Sequence, residues 1–99
     1  MHAIAICRDK PGALETRLAV RPKHLEHAAR YAPSMLAAGA ILGDDGKPIG
    51  SLFVFINTSP DEARRIMDED PFVKAGIFES VSVERWRWAI NRPAGIEEE

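Results

Sequence analysis

Cysteine is nearly absent from this sequence. Cys7 stands alone among 99 residues, so no disulfide can form within the chain. A lone thiol in an apolar stretch reads as a small core residue. The expected compartment is therefore a reducing one, the cytoplasm. Long hydrophobic runs are also missing. None approaches the ~18 residues a bilayer requires, and the first residues lack the basic-then-apolar layout of a secretory signal. A membrane partner is not expected. Neither sign of charge dominates: 13 Lys and Arg face 15 Asp and Glu, for a formal net charge of −2. With no basic stripe interleaved with aromatics, nucleic acid is not an expected partner.

What remains is an ordinary globular mixture, 45% hydrophobic and 28% charged, sized for one domain with one modest core. The domain is expected over residues 1–88. Residues 89–99, with Pro93, Gly95 and three terminal glutamates, read as an acidic, mobile tail.

His2 to Arg8 is short, apolar and closed by the turn signal Asp9-Lys10-Pro11-Gly12, which predicts a strand. Ala13 to Val20 carries Leu14 and Leu18 four apart and suits a turn or two of helix, which Arg21-Pro22 should interrupt. Pro22 fits the first position of a new helix, with Leu25, Ala28, Ala29, Ala32 and Leu36 at helical spacing. Pro33 should kink that helix, and Gly39 is placed as its left-handed stop. Ala40 to Asn57 reads as two strands around a turn at Asp45-Gly46. Ser59-Pro60-Asp61-Glu62 is a helix start with a capping Ser and a Glu three residues on; Pro71 ends that helix. Ile77 to Trp88 is a last strand. The order strand, helix, strand, strand, helix, strand predicts an α+β, ferredoxin-like βαββαβ fold: a four-stranded antiparallel sheet with both helices on one face.

A sheet covered on one side should alternate apolar and polar residues. These strands do not. Leu52, Val54 and Ile56 point one way and Phe53 and Phe55 the other; Ile4 and Ile6 oppose Ala3, Ala5 and Cys7; Val81 and Val83 oppose Trp86 and Trp88. Two helices cover one face only. A second copy of the chain, packed sheet against sheet, is the expected cover for the other.

Two residues stand out chemically. Asp68, Glu69 and Asp70 crowd a predicted helix end, where the dipole disfavours carboxylates. Asp70 lies seven positions after Ala63, on the face of Ile66 and Met67, and there it needs a cationic or hydrogen-bonding partner. His24 flanks the Leu25/Ala28/Ala32 stripe, near Tyr31 and Met35, where it can reach a space between helix and sheet. A neutral imidazole held by a carboxylate is a general base with a fixed tautomer. Spacing alone equally allows a structural histidine and a carboxylate that caps the following loop. His27 and His2 read as surface histidines. Arg8, Arg17, Arg21 and Lys74 read mainly as surface charges, of which one or two can pair with Asp70 or an anionic ligand. No serine elbow, phosphate loop or zinc-ligand cluster is present. His24 and Asp70 are too few ligands for a closed metal site, so neither a metal nor another cofactor is expected.

"DKPGALETRLAVRPKHL", "DDGKPIGSL" and "DPFVKAGIFESVSVERW" resemble the hallmark segments of YCII-related (YciI-like) proteins, with the resemblance running from His2 to about Trp88. It implies a ferredoxin-like fold that dimerises as an α+β barrel, as in muconolactone isomerase. It also implies a His–Asp active site that maps onto His24 and Asp70. Arg17, Arg21, Ser51 and Lys74 stand in motif positions and are implied as substrate-binding residues. The implied activity is a small cofactor-free enzyme working by acid–base chemistry, in elimination, isomerisation or hydrolysis of a small cyclic or aromatic compound. The alternative is a module that binds or senses a small metabolite without transforming it.

Overall fold

The computed structural model describes all 99 residues, Met1–Glu99. Strand β1 (His2–Asp9) leads into helix α1 (Leu14–Arg30), a 3-10 turn at Ala32–Ser34, and the hairpin β2 (Met35–Leu42) and β3 (Pro48–Phe55). Helix α2 (Pro60–Asp68), a four-residue helix α3 (Pro71–Lys74) and strand β4 (Phe78–Trp86) follow. The sheet runs β2-β3-β1-β4, with every neighbouring pair antiparallel. This is the ferredoxin-like α+β fold, with the helices on one face.

Register decides which residues form the core. Ala3 pairs with Phe55, Ala5 with Phe53 and Cys7 with Ser51, and on the other flank Ala5 and Cys7 pair with Val83 and Val81. Paired residues share a face, so the small side chains of β1 lie between the large ones of β3 and β4. Ala63, Ile66 and Met67 of α2 close this layer from above. Gly50 pairs with Arg8, and a Cβ built on it would overlap the Cys7 carbonyl, so β1 and β3 approach closely only with glycine there. The opposite parity, Ile4, Ile6, Leu52 and Val54, faces away from the helices, and Leu52 remains 40% exposed.

Three sequence expectations are corrected. Helix α1 is not interrupted at Arg21-Pro22 but runs through Pro22. The proline leaves the Leu18 carbonyl without its helical N–H, on a turn where Leu18, Arg21 and Pro22 are exposed and water can take it. Second, Leu36 and Gly39 do not belong to a helix: Met35–Leu42 is a strand, with Gly39 opposite Leu52 in mid-ladder. Alanine-rich sequence has no strong strand propensity of its own, and pairing with β3 decides the outcome. Third, Asp68 to Asp70 do not terminate a single helix before a loop, because Pro71 opens a short helix of its own. The hairpin turn is as expected: Gly46 has φ +79, and its N–H donates to the Gly43 carbonyl at 2.9 Å.

The tail has no helix or strand, yet it folds back on the sheet. The Trp88 N–H donates to the Glu98 carbonyl at 2.9 Å, and Arg87 Nε donates to Glu99 Oε2 at 2.6 Å.

Cys7 is fully buried. Burial, reinforced by the nearby Asp70 charge, pushes its thiol up to about 12 from an ordinary 9.0. The unfolded chain would release this proton first, so the stability the neutral thiol contributes is complete below the unfolded value. It is lost as pH rises through the interval from 9.0 to about 12. We expect native Cys7 to resist a thiol reagent at about pH 8 and to react promptly once urea unfolds the chain. Rapid labelling of the folded protein would contradict this.

Candidate functional site

Asp70 is the N-cap of α3. Its Oδ1 accepts the Phe72 N–H at 2.8 Å, and its backbone is extended before Pro71 supplies the first helical residue. Asp70 directly follows the C-cap of α2, and its carboxylate is satisfied there by the unpaired N–H it caps at the start of α3. It is completely buried. Its second partner comes from α1: His24 Nδ1 lies 2.9 Å from Oδ2 and 3.0 Å from Oδ1. A carboxylate only accepts, so the Nδ1–H donates, and in the neutral ring Nε2 carries the lone pair.

The imidazole is held on its faces as well. Phe72 stacks on it with centroids 3.9 Å apart and planes 12° from parallel, and Phe53 meets it nearly perpendicular at 5.9 Å. Arg17, two turns before His24, brings its guanidinium carbon to 4.8 Å from the Phe72 centroid. A stacked imidazole fills one face of Phe72, so Arg17 takes the other. The donors of Arg17 are well used: Nη1 to both oxygens of Asp9 at 2.8 and 3.1 Å, and Nη2 to the Gly50 carbonyl at 2.9 Å and Ser51 Oγ at 2.5 Å. At 5% exposure this is a buried, paired cation.

These groups border a cleft of about 310 Å³ between α1 and the β2–β3 side of the sheet. Leu18, Leu25, Ala28, Ala38, Ala40, Pro48 and Phe53 supply its apolar walls. His24, Arg17, Arg21 and Ser51 supply its polar ones. Arg21 is exposed at the border and joins no ion pair. Ser51 Oγ accepts from Arg17, which leaves its own proton free to donate. Lys74 lies exposed at the end of α3, outside the cleft lining. Arg8 is exposed and also outside it.

Asp9 and Phe72 join the site with little signal in the sequence. Asp9 stands in a turn signal, yet it lies eight residues before Arg17, across the short β1–α1 connection. Phe72 follows the Asp-Pro pair and reads as generic core. His27 and His2 are not surface residues, contrary to expectation: they are 4% and 0% exposed. His27 Nε2 donates to the Ile66 carbonyl at 3.0 Å, meeting an acceptor near the C-terminal end of α2. Beside it the Tyr31 hydroxyl donates to Glu69 at 2.9 Å, and that bond pushes the phenol above its usual range.

The family model for the YCII-related domain matches residues 1–87. The chain belongs to this family. Its YCII-related relatives include protein YciI of Escherichia coli and of Shigella flexneri, each 32% identical over 95 residues, covering 88% of this chain and 97% of the relative. Among solved structures it is similar to 5-chloro-2-hydroxyhydroquinone dehydrochlorinase (TftG) from Burkholderia phenoliruptrix in complex with 2,5-dihydroxybenzoquinone. The TM-score is 0.82 at 31% identity, covering 90% of this chain and 96% of that one. SnoaB, a cofactor-independent oxygenase from Streptomyces nogalater, shares the fold at 14% identity and TM-score 0.56, covering 92% and 96%. Residues 88–99 lie beyond the family match.

The two jobs of Asp70 can be separated. Asp70→Asn keeps an oxygen for the Phe72 N–H, whereas Asp70→Ala loses the cap and leaves His24 unpaired. Urea unfolding should find the alanine variant less stable than the asparagine variant by about 1–2 kcal/mol. Equal losses would show that the cap contributes nothing.

Proposed function

We propose that this YCII-related protein is a small enzyme whose own side chains perform acid–base chemistry on a small hydroxylated ring. The observation that carries the reading is His24 itself. Its Nδ1 is committed to a buried carboxylate, its ring is clamped between Phe72 and Phe53, and its residue borders a mainly apolar cleft. A fixed imidazole with a free Nε2 lone pair is a general base without a rotational search. The likeness to a dehydrochlorinase supports elimination as the reaction.

In that reaction His24 Nε2 takes a proton from the ring substrate. The substrate reacts as its keto tautomer, in which the carbon bearing chlorine is saturated: the hydroxyl O–H pair becomes a C=O bond, the adjoining ring double bond shifts onto that carbon, and the C–Cl bond breaks, releasing chloride and leaving the quinone. Asp70 stabilises the imidazolium, whose proton later returns to water. Arg21 and the Ser51 hydroxyl meet the substrate oxygens, and Arg17, already paired with Asp9, holds Ser51 in place.

With 5-chloro-2-hydroxyhydroquinone as probe, we expect chloride release, and His24→Ala should lower kcat/KM by roughly a hundred- to ten-thousand-fold. Unchanged turnover in that variant would reject the role of His24. Recovery of the compound intact from the unmodified protein, despite saturable binding, would favour a binding module instead.

The apolar face formed by Ile4, Ile6, Leu52 and Val54 supports a homodimer packed through the sheets, the assembly typical of dimeric α+β barrels. Sedimentation velocity at micromolar concentration should give a dimer, and Leu52→Glu should shift it to monomer. A monomeric unmodified protein would refute this packing.

A further inference from the structure

His2 lies on the side of the sheet that carries no helix. It has the parity of Ile4 and Ile6 and pairs with Trp86. Nevertheless it is 0% exposed. The element seen to bind it there is the C-terminal tail: His2 Nε2 lies 2.7 Å from the Glu97 carbonyl. The other ring nitrogen is also engaged, because Nδ1 lies 3.0 Å from the Asn57 N–H. A carbonyl only accepts and a backbone N–H only donates, so Nε2 carries the hydrogen and Nδ1 the lone pair. The docked tail fits the neutral imidazole alone. A proton on Nδ1 would point at the Asn57 N–H, donor against donor, in a site sealed from water.

We infer that the segment from Ala89 to Glu99 is a strap over the β1–β4 corner of the helix-free sheet face, latched by neutral His2 and released when that ring is protonated. The strap turns at Gly95, φ +82, and runs back beside Trp88, whose N–H meets the Glu98 carbonyl at 2.9 Å. Arg92 Nη1 holds the turn through the Ile96 carbonyl at 2.8 Å.

The charged groups near His2 are few. The Met1 amino group precedes it, Arg85 and Arg87 flank its ladder partner Trp86, and the strap carries Glu97, Glu98 and Glu99; Asn57 and Thr58 carry no charge. No charged side chain hydrogen bonds to the ring. Glu99 is occupied by Arg87 at 2.6 Å, with Arg85 at 3.7 Å, and the Arg87 hydrogen bond holds its carboxyl below the ordinary range. The glutamates would attract an imidazolium, while Arg85, Arg87 and the amino group would repel it. The unfavourable contact at Nδ1 is local and has no such offset. Strap and proton therefore compete for one ring, and acidification favours the released strap.

Hydrogen exchange on the full chain tests this at single residues. The Trp88 and Asn57 amides should lose protection together, by about tenfold or more after correction for intrinsic exchange rates, as the pH is lowered from neutral into the acid range. The fluorescence of Trp86 and Trp88 should change over the same interval. In His2→Gln, which cannot take up a proton, the Trp88 amide should show no such pH dependence. Constant protection in the unmodified protein overturns the inference, and so does an unaltered pH dependence in His2→Gln. Should that variant fail to fold, ring nitrogen resonances of the unmodified protein decide: His2 titrating while Trp88 stays protected also overturns it.

Discussion

The buried carboxylate of Asp70 joins two parts of the fold that otherwise have little reason to meet. One oxygen starts α3 by accepting the Phe72 N–H, and the same group holds the Nδ1 of His24 on α1. The cap orients the carboxylate, the carboxylate orients the imidazole, and Phe72, placed by the cap, stacks on that imidazole. Removing solvent from this cluster strengthens each contact and raises the cost of breaking any one.

Arg17 does for the lower end of α1 what His24 does for the middle. It binds Asp9 at the end of β1 and Gly50 and Ser51 in β3, and it covers the outer face of Phe72. A guanidinium suits this work because its planar donors serve a carboxylate and two further acceptors at once. The cleft thus contains one cation already neutralised, one at its border without a partner, and an imidazole whose hydrogen lies on the side away from the cleft. Such a lining suits oxygen atoms better than a purely apolar surface.

Much of this was legible in the residues themselves. The unbroken apolar run from Leu52 to Phe55 marks both faces of β3 as apolar, Ser59-Pro60 marks the start of α2, and His24 and Asp70 stand out as polar groups beside apolar stripes. The misreadings have physical causes. Pro22 is a strong local signal, but its lost hydrogen bond falls on the solvated side of α1, where it is cheap. Met35–Leu42 has too little local preference to declare itself, and its partner strand decides. Asp70 looked misplaced because α3 has only four residues, too few to register as a helix. His2 and His27 looked superficial because each is buried by a distant element, through the carbonyls of Glu97 and Ile66. Position along a strand or helix carries no sign of such contacts.

The small side chains of Ala38 and Ala40 on β2 have a consequence for how such a protein can change. They form one wall of the cleft, while the residues that hold α1, Arg17, His24 and His27, are anchored to β3, α2 and the α2–α3 junction. Enlarging either alanine would narrow the cavity without disturbing an anchor. The shape of the cavity and the placement of the imidazole are thereby written in separate parts of the chain, and one can drift through evolution while the other stays constant.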